Sequence, residues 1–266
     1  MPNYEHKYYN QRELWEKSLL SVPAEQERIH STIELIPSDV RTILDVGCGN
    51  GAFLNSLPDG YQTIGLDLSQ EALKYVKAEA IRGNIAALPF KSASFDLITC
   101  LEVLEHLPSD GFNEALRELQ RVSRKYIIVS VPNDEDLDYS LVICPVCRCR
   151  YNPWRHVRSF NSEKVKTLFE SFTLLEIKEV GPLEPRPQYN RFLYAVYLLY
   201  KNSYPPSIAV CPQCGYQPIG GELSVFTVKS GGLPPYVLSL LKLFAKTIWR
   251  PRWRHRWLVA LYVRKD

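Results

Sequence analysis

The chain has 266 residues, 45% of them hydrophobic, which suits one sizeable α/β domain with an insertion and argues against default disorder. Its net charge of +3 is too weak to argue for a nucleic-acid partner. No run of about 18 apolar residues predicts a transmembrane helix, and MPNYEHKYYNQRELW lacks the apolar core of a signal peptide.

Residues 1–38 read as an N-terminal helical cap, with Leu14, Trp15, Leu19 and Leu20 on one face and Ile29, Ile33 and Ile36 on another. Thr42–Val46 is a buried parallel strand, followed by a turn in which Gly47, Gly49 and Gly51 let the backbone approach a ligand. The pattern predicts a helix over about Gly51–Leu57, a strand over Gln62–Leu66 closed by Asp67, and a helix from an N-cap at Ser69 to Ala78. Ala80–Gly83 and Phe95–Cys100 read as strands, Gly111–Val122 as a helix, and Tyr126–Val131, Thr173–Val180 and Trp257–Val263 as three further strands. This alternation predicts a doubly wound, mainly parallel seven-stranded sheet with a Rossmann-like arrangement. Residues 39–180 would form the core, 141–154 and 181–224 a cysteine-containing insertion, and 225–266 an amphipathic helix plus the final strand.

The loop Asp45-Val46-Gly47-Cys48-Gly49-Asn50-Gly51 departs from the G-x-G-x-x-G dinucleotide fingerprint. Its D-x-G-x-G-x-G form, with GLDLS at Gly65–Ser69 and FDLITCLEVLEHLP at Phe95–Pro108, resembles the class I S-adenosylmethionine-dependent methyltransferases, in particular the type 11 and ubiquinone-pathway branches. The resemblance implies S-adenosylmethionine as cofactor and an antiparallel last strand. It implies that Asp45, Gly47, Gly49 and Gly51 hold the methionine part and that Asp67, next to Leu68, takes the ribose diol. Asn84 and Ile85 would border the adenine, and Leu101, just after the fourth strand, would line the pocket. Asn84 stands where the family more often has aspartate, and an amide oxygen can still accept from the adenine amino group.

Glu102, Glu105 and His106 form an E-x-x-E-H cluster after the fourth strand, where substrates bind in open α/β folds. On a helical turn the three would share a face, and His106 would serve as a general base. Similar clusters occur in ubiquinone-pathway and small-RNA 3′-end methyltransferases, where they bind metal. That resemblance implies a second divalent ion here, with His156 as a further ligand, against the alternative that the cluster acts without an ion. The acceptor implied is a small molecule, or a lipid-linked or glycan intermediate, with oxygen favoured as the methylated atom. A non-catalytic cofactor-binding or zinc-containing module stands as the alternative.

Of the seven cysteines, Cys48 and Cys100 fall in or beside core strands, while Cys144/Cys147 and Cys211/Cys214 form two C-P-x-C pairs. This usage points to a reducing, cytoplasmic setting and to a closed structural zinc site rather than a disulfide framework. Cys149 is a spare thiol. Val237–Trp249 is amphipathic and runs into Arg250, Arg252, Arg254, His255 and Arg256 interleaved with tryptophans. It reads either as a core-packed helix with a solvated basic turn or as a contact for a membrane surface, an anionic substrate or nucleic acid.

Overall fold

The structure, a computed structural model, describes residues 7–138, 140–186, 205–218 and 252–266. It divides into two compact units. One comprises Tyr9–Glu135, Val157–Leu183 and His255–Asp266, and carries the sheet. The other draws on Met1–Tyr8, Asp136–His156 and Glu184–Arg254, and carries the paired cysteines.

The strands in chain order are β1 (Thr42–Val46), β2 (Gln62–Asp67), β3 (Glu79–Arg82), β4 (Phe95–Leu101), β5 (Ser123–Pro132), β6 (Val142–Ile143), β7 (Arg150–Tyr151), β8 (Phe172–Arg186) and β9 (Arg252–Arg264). Seven of them form one sheet of order β3-β2-β1-β4-β5-β9-β8, while β6 and β7 pair separately. The β1–β2, β1–β4, β2–β3 and β4–β5 pairs are parallel, and β9 runs antiparallel to β5. The expected architecture is therefore present, including the reversed last strand.

Strand periodicity builds the core. Successive side chains point to opposite faces, so Leu44, Ile98, Ile127, Val129, Leu258 and Ala260 join one apolar cluster. Their neighbours Ile43, Leu97, Ile128 and Val259 join the other. Four α-helices have described bounds: α1 (Arg12–Trp15), α2 (Pro23–Glu34), α3 (Ser109–Val122) and α4 (Ser162–Lys166). In α3, Ala115, Leu119 and Val122 lie at helical spacing and close the first face. In α2, Ile29 closes the second.

Several local expectations fail. The helix expected over Gly51–Leu57 is only a 3₁₀ turn at Leu54–Ser56. Gly51 is left-handed (φ +75°), Pro58 follows at once, and the Asn55 side chain bonds to Tyr75 O and Lys77 N. The helix expected from Ser69 to Ala78 shrinks to a 3₁₀ turn at Ala72–Tyr75, although Ser69 Oγ does accept from Ala72 N–H as a cap would. Arg252, Arg254, His255 and Arg256 lie within β9 rather than in a basic turn. Alternation through Trp257–Tyr262 extends the strand back into the charged run. The amphipathic segment Val237–Trp249 lies outside the described residues, as does 181–224 apart from 181–186 and 205–218. Among the described residues, no helix is long and apolar enough to cross a membrane.

Candidate functional site

The loop after β1 is held by backbone geometry. Gly47, Gly49 and Gly51 have φ of +77°, +53° and +75°. A Cβ on Gly47 would lie 2.3 Å from Val103 Cγ2, so only glycine lets the loop after β4 come this close. Gly47 and Cys48 both donate to Leu66 O, which ties the loop to β2.

Asp67, at the end of β2, accepts from Gly49 N–H through Oδ2 (2.9 Å) and from Ser69 N–H through Oδ1 (2.7 Å). Burial raises its pKa above the usual carboxylate range, while those two N–H groups favour the ionised form. A carboxylate has roughly four acceptor positions, so each oxygen keeps capacity for a ligand hydroxyl. Leu68 is half-buried, and its carbonyl accepts from Arg82 Nε at 3.1 Å. Asp45 sits deeper. It is buried and accepts from Thr99 Oγ1 at 2.7 Å, and desolvation pushes its pKa up to about 7. Asp45 thus braces β1 against β4. Ile85 is buried and Asn84 exposed, with Asn84 Oδ1 accepting from Ala86 N–H at 3.0 Å. Leu101 is half-buried at the end of β4, against the α2-side core.

Three features of this loop escaped the sequence analysis. Trp15 packs on Gly49, where an added Cβ would stand 3.0 Å from the indole. Asn50, itself buried, donates to Trp15 O (3.0 Å) and Lys17 O (3.2 Å). Tyr9 O accepts from both Trp15 Nε1 (2.7 Å) and Ser69 Oγ (2.6 Å). Trp15 had been assigned to a packing face alone. A tryptophan near a glycine turn carries no periodic signal of its own.

After β4 the chain does not form the helical face expected for E-x-x-E-H. Glu102 is left-handed (φ +57°), and a 3₁₀ turn follows at Leu104–His106. The Glu102 carboxylate accepts from Ser130 Oγ on β5 (2.5 Å) and from Trp257 Nε1 on β9 (2.8 Å). The buried Arg28 of α2 lies beside this group, with its guanidinium 5.4 Å from the Trp257 ring centroid and bonded to Glu25 at 2.7 Å. Arg28 stays cationic despite its burial because Glu102 and Glu25 favour the charge. Arg28 and Trp257 went unrecognised as site neighbours. A buried cation in a helix interior and an indole N–H in a core strand both demand polar partners.

Glu105 is fully buried, and neither carboxylate oxygen makes a hydrogen bond. Desolvation and the nearby Glu102 push its pKa well above the usual range. His106 Nε2 stands 4.0 Å from Glu105 Oε1, and the Tyr9 ring meets the imidazole edge-on at 6.2 Å between centroids. His156 belongs to the other unit.

In that unit the two C-P-x-C pairs build matching turns. Arg148 N–H donates to Cys144 O (3.0 Å) and Cys144 N–H to Cys149 O (2.9 Å). Gly215 N–H donates to Cys211 O (2.9 Å) and Cys211 N–H to Tyr216 O (2.9 Å). The four Sγ atoms lie within 4.8 Å of one another, with Cys144–Cys214 at 3.6 Å and Cys147–Cys211 at 3.5 Å. A tetrahedron with metal–sulfur bonds of about 2.3 Å has edges of about 3.8 Å, so the set fits one four-coordinate ion. Burial opposes ionisation of Cys144, yet the Cys147 and Val146 N–H groups and the neighbouring thiols bring its pKa down to about 7. A donor set of four sulfurs suits zinc or iron.

The family model for the methyltransferase domain matches residues 44–128, the stretch from β1 into β5 that holds the glycine loop, Asp67 and the Glu102–His106 turn. Residues 44–128 are thus similar to that methyltransferase-domain family. The chain is 43% identical over 97 residues to an uncharacterized protein of Methanocaldococcus jannaschii, covering 35% of this chain and 41% of that protein. It is 34% identical over 86 residues to the ubiquinone biosynthesis O-methyltransferase of Albidiferax ferrireducens, covering 28% and 34%. The chain thus spans less than half the length of these curated relatives. The fold is shared with a crystal structure of an S-adenosylmethionine-dependent methyltransferase from Thermotoga maritima, at a TM-score of 0.54 and 15% identity, covering 100% of both chains.

Proposed function

We propose that the protein methylates a hydroxyl oxygen of a small-molecule, lipid-linked or glycan acceptor, using S-adenosylmethionine. The Asp67 carboxylate carries the cofactor half of this reading, because it is oriented by two backbone N–H groups and keeps acceptor capacity on both oxygens for a diol. S-adenosylmethionine, when bound, supplies an electrophilic sulfonium methyl. Gly47, Gly49 and Gly51 would let the backbone reach its amino-acid end, with Asp45 bracing the loop. Leu68, Ile85, Leu101 and the amide of Asn84 would border the adenosine.

On the acceptor side, His106 takes the proton that the hydroxyl loses as the new carbon–oxygen bond forms. Glu105 sits beside it in a water-poor setting, 4.0 Å from His106 Nε2 and with its pKa raised. Glu102 acts through position, its orientation fixed by the hydrogen bonds its oxygens accept from β5 and β9. The metal-free route is the one proposed. The preference for oxygen rests on the Glu105–His106 pair and on the similarity to a ubiquinone biosynthesis O-methyltransferase.

We also infer one structural zinc held by Cys144, Cys147, Cys211 and Cys214. It leaves no open coordination position and so takes no part in the methyl-transfer step.

Calorimetry with S-adenosylhomocysteine and with NAD tests the cofactor assignment. The first should bind and the second should not, and the opposite result overturns it. His106→Ala should keep cofactor affinity and lower turnover by about 10²–10⁴-fold. Full turnover in that variant, or loss of turnover in EDTA with the four-cysteine zinc retained, would refute the metal-free base.

A further inference from the structure

The two cysteine turns are an internal comparison. Each places a left-handed residue directly after its second cysteine, Arg148 at φ +62° and Gly215 at φ +69°. Glycine adopts that backbone freely, whereas a residue with a Cβ is strained in it. A Cβ on Gly215 would meet nothing within 4 Å, so strain rather than space separates the two choices there. The first turn therefore tolerates a backbone cost while carrying a long cation. Backbone strain kept at an exposed position points to what the side chain does outward.

The Arg148 side chain is exposed and has no partner among the described residues, and the same holds for Arg150 in β7. Trp154 is 38% exposed. The Arg155 guanidinium lies 5.9 Å from the Tyr8 ring centroid, and Lys7 Nζ caps Gly215 O at 2.8 Å. Between Asp138 and Glu163 the sequence contains no aspartate, glutamate or lysine, so arginine supplies every formal charge there. Guanidinium forks match phosphate oxygens in pairs, and an exposed indole offers a stacking face to any base.

We propose that the cysteine unit is a docking face for single-stranded nucleic acid, with Arg148 and Arg150 engaging backbone phosphates and Trp154 stacking a base. Lipid surfaces are met by larger basic clusters. Arg148, Arg150 and the exposed Trp154 fall within a short stretch of chain whose positive charge is carried by guanidiniums, which fits discrete phosphates better. This inference goes beyond the methyl-transfer reading and does not depend on it.

The test is fluorescence anisotropy of the full chain with a labelled oligouridine of about 20 nucleotides, at low and at physiological salt. Binding should weaken with salt. Arg148→Gly should keep or raise the melting temperature, lower affinity by about fivefold at low salt, and reduce the salt slope by about 0.7. Arg150→Ala should act likewise on affinity and slope. Trp154→Ala should weaken binding with the slope unchanged. The proposal is overturned if Arg148→Gly binds as the parent does, or if it lowers the melting temperature, which marks a structural role. Binding of phosphatidylserine vesicles without binding of the oligonucleotide also overturns it.

Discussion

The sheet unit and the cysteine unit are held together by different means. The sheet unit buries apolar side chains on both faces, with Leu44, Ile98 and Val129 on one and Ile43, Leu97 and Ile128 on the other. The cysteine unit's buried cluster is Val142, Cys144, Tyr151, Ala209 and Cys211, and two of those five are candidate metal ligands. That cluster is counted among the described residues. The sheet unit draws stability from area removed from water, and the zinc proposed for the cysteine unit would add a cross-link that chemistry can remove.

Metal removal should separate the two units most sharply. Structural zinc contributes on the order of 10 kcal/mol in small domains at neutral pH. A strong chelator, or Cys211→Ser, should abolish hydrogen-exchange protection in β6, β7 and residues 205–218 while leaving β1–β5 protected. Protection that persists in a protein shown to be zinc-free by elemental analysis contradicts the cross-link.

In the sheet unit, the largest point effect is expected at Gly47. An added Cβ meets both a left-handed φ and Val103, so Gly47→Ala should cost more than about 2 kcal/mol and lower the urea midpoint. Asp67→Ala should then weaken S-adenosylhomocysteine by about 10–100-fold in calorimetry, the scale of lost charge-assisted hydrogen bonds. Unchanged affinity removes Asp67 from the ribose.

The effect at Asp45 is read through pH rather than at a single condition. Its native pKa of about 7 exceeds the unfolded value, so the folded state binds more protons and stability falls as pH rises from about 4 to about 7. Asp45→Asn keeps an acceptor for Thr99 and removes this titration. The variant's melting temperature should gain on the parent's across that window and level off above it. Parallel pH profiles would place the titration elsewhere.

Strands were more legible than helices. Near-continuous runs of Ile, Leu and Val marked β1, β4 and β5 because each strand is buried on both faces. The helix expected after Gly51 failed because Pro58 and the tied Asn55 override a short stretch of helix-forming residues. The candidate site divides similarly. Its glycine loop, Asp67 and the paired cysteines carry fixed local spacing. Arg28, Trp15 and Trp257 are brought in by tertiary folding, which leaves no spacing to read. Glu102 misled because the E-x-x-E-H spacing presumes helical backbone, whereas its left-handed φ turns the carboxylate toward Ser130 and Trp257.

The position of β9 has a consequence for biosynthesis. The seventh strand of the large sheet to be synthesised lies not at its edge but between β5 and β8. A nascent chain that has emerged only as far as Arg186 must keep two strand edges open, with Val129 and Val131 uncovered. Seating β9 is then a late insertion rather than an addition at the rim, and until it occurs the growing polypeptide offers a template for mispairing with other chains.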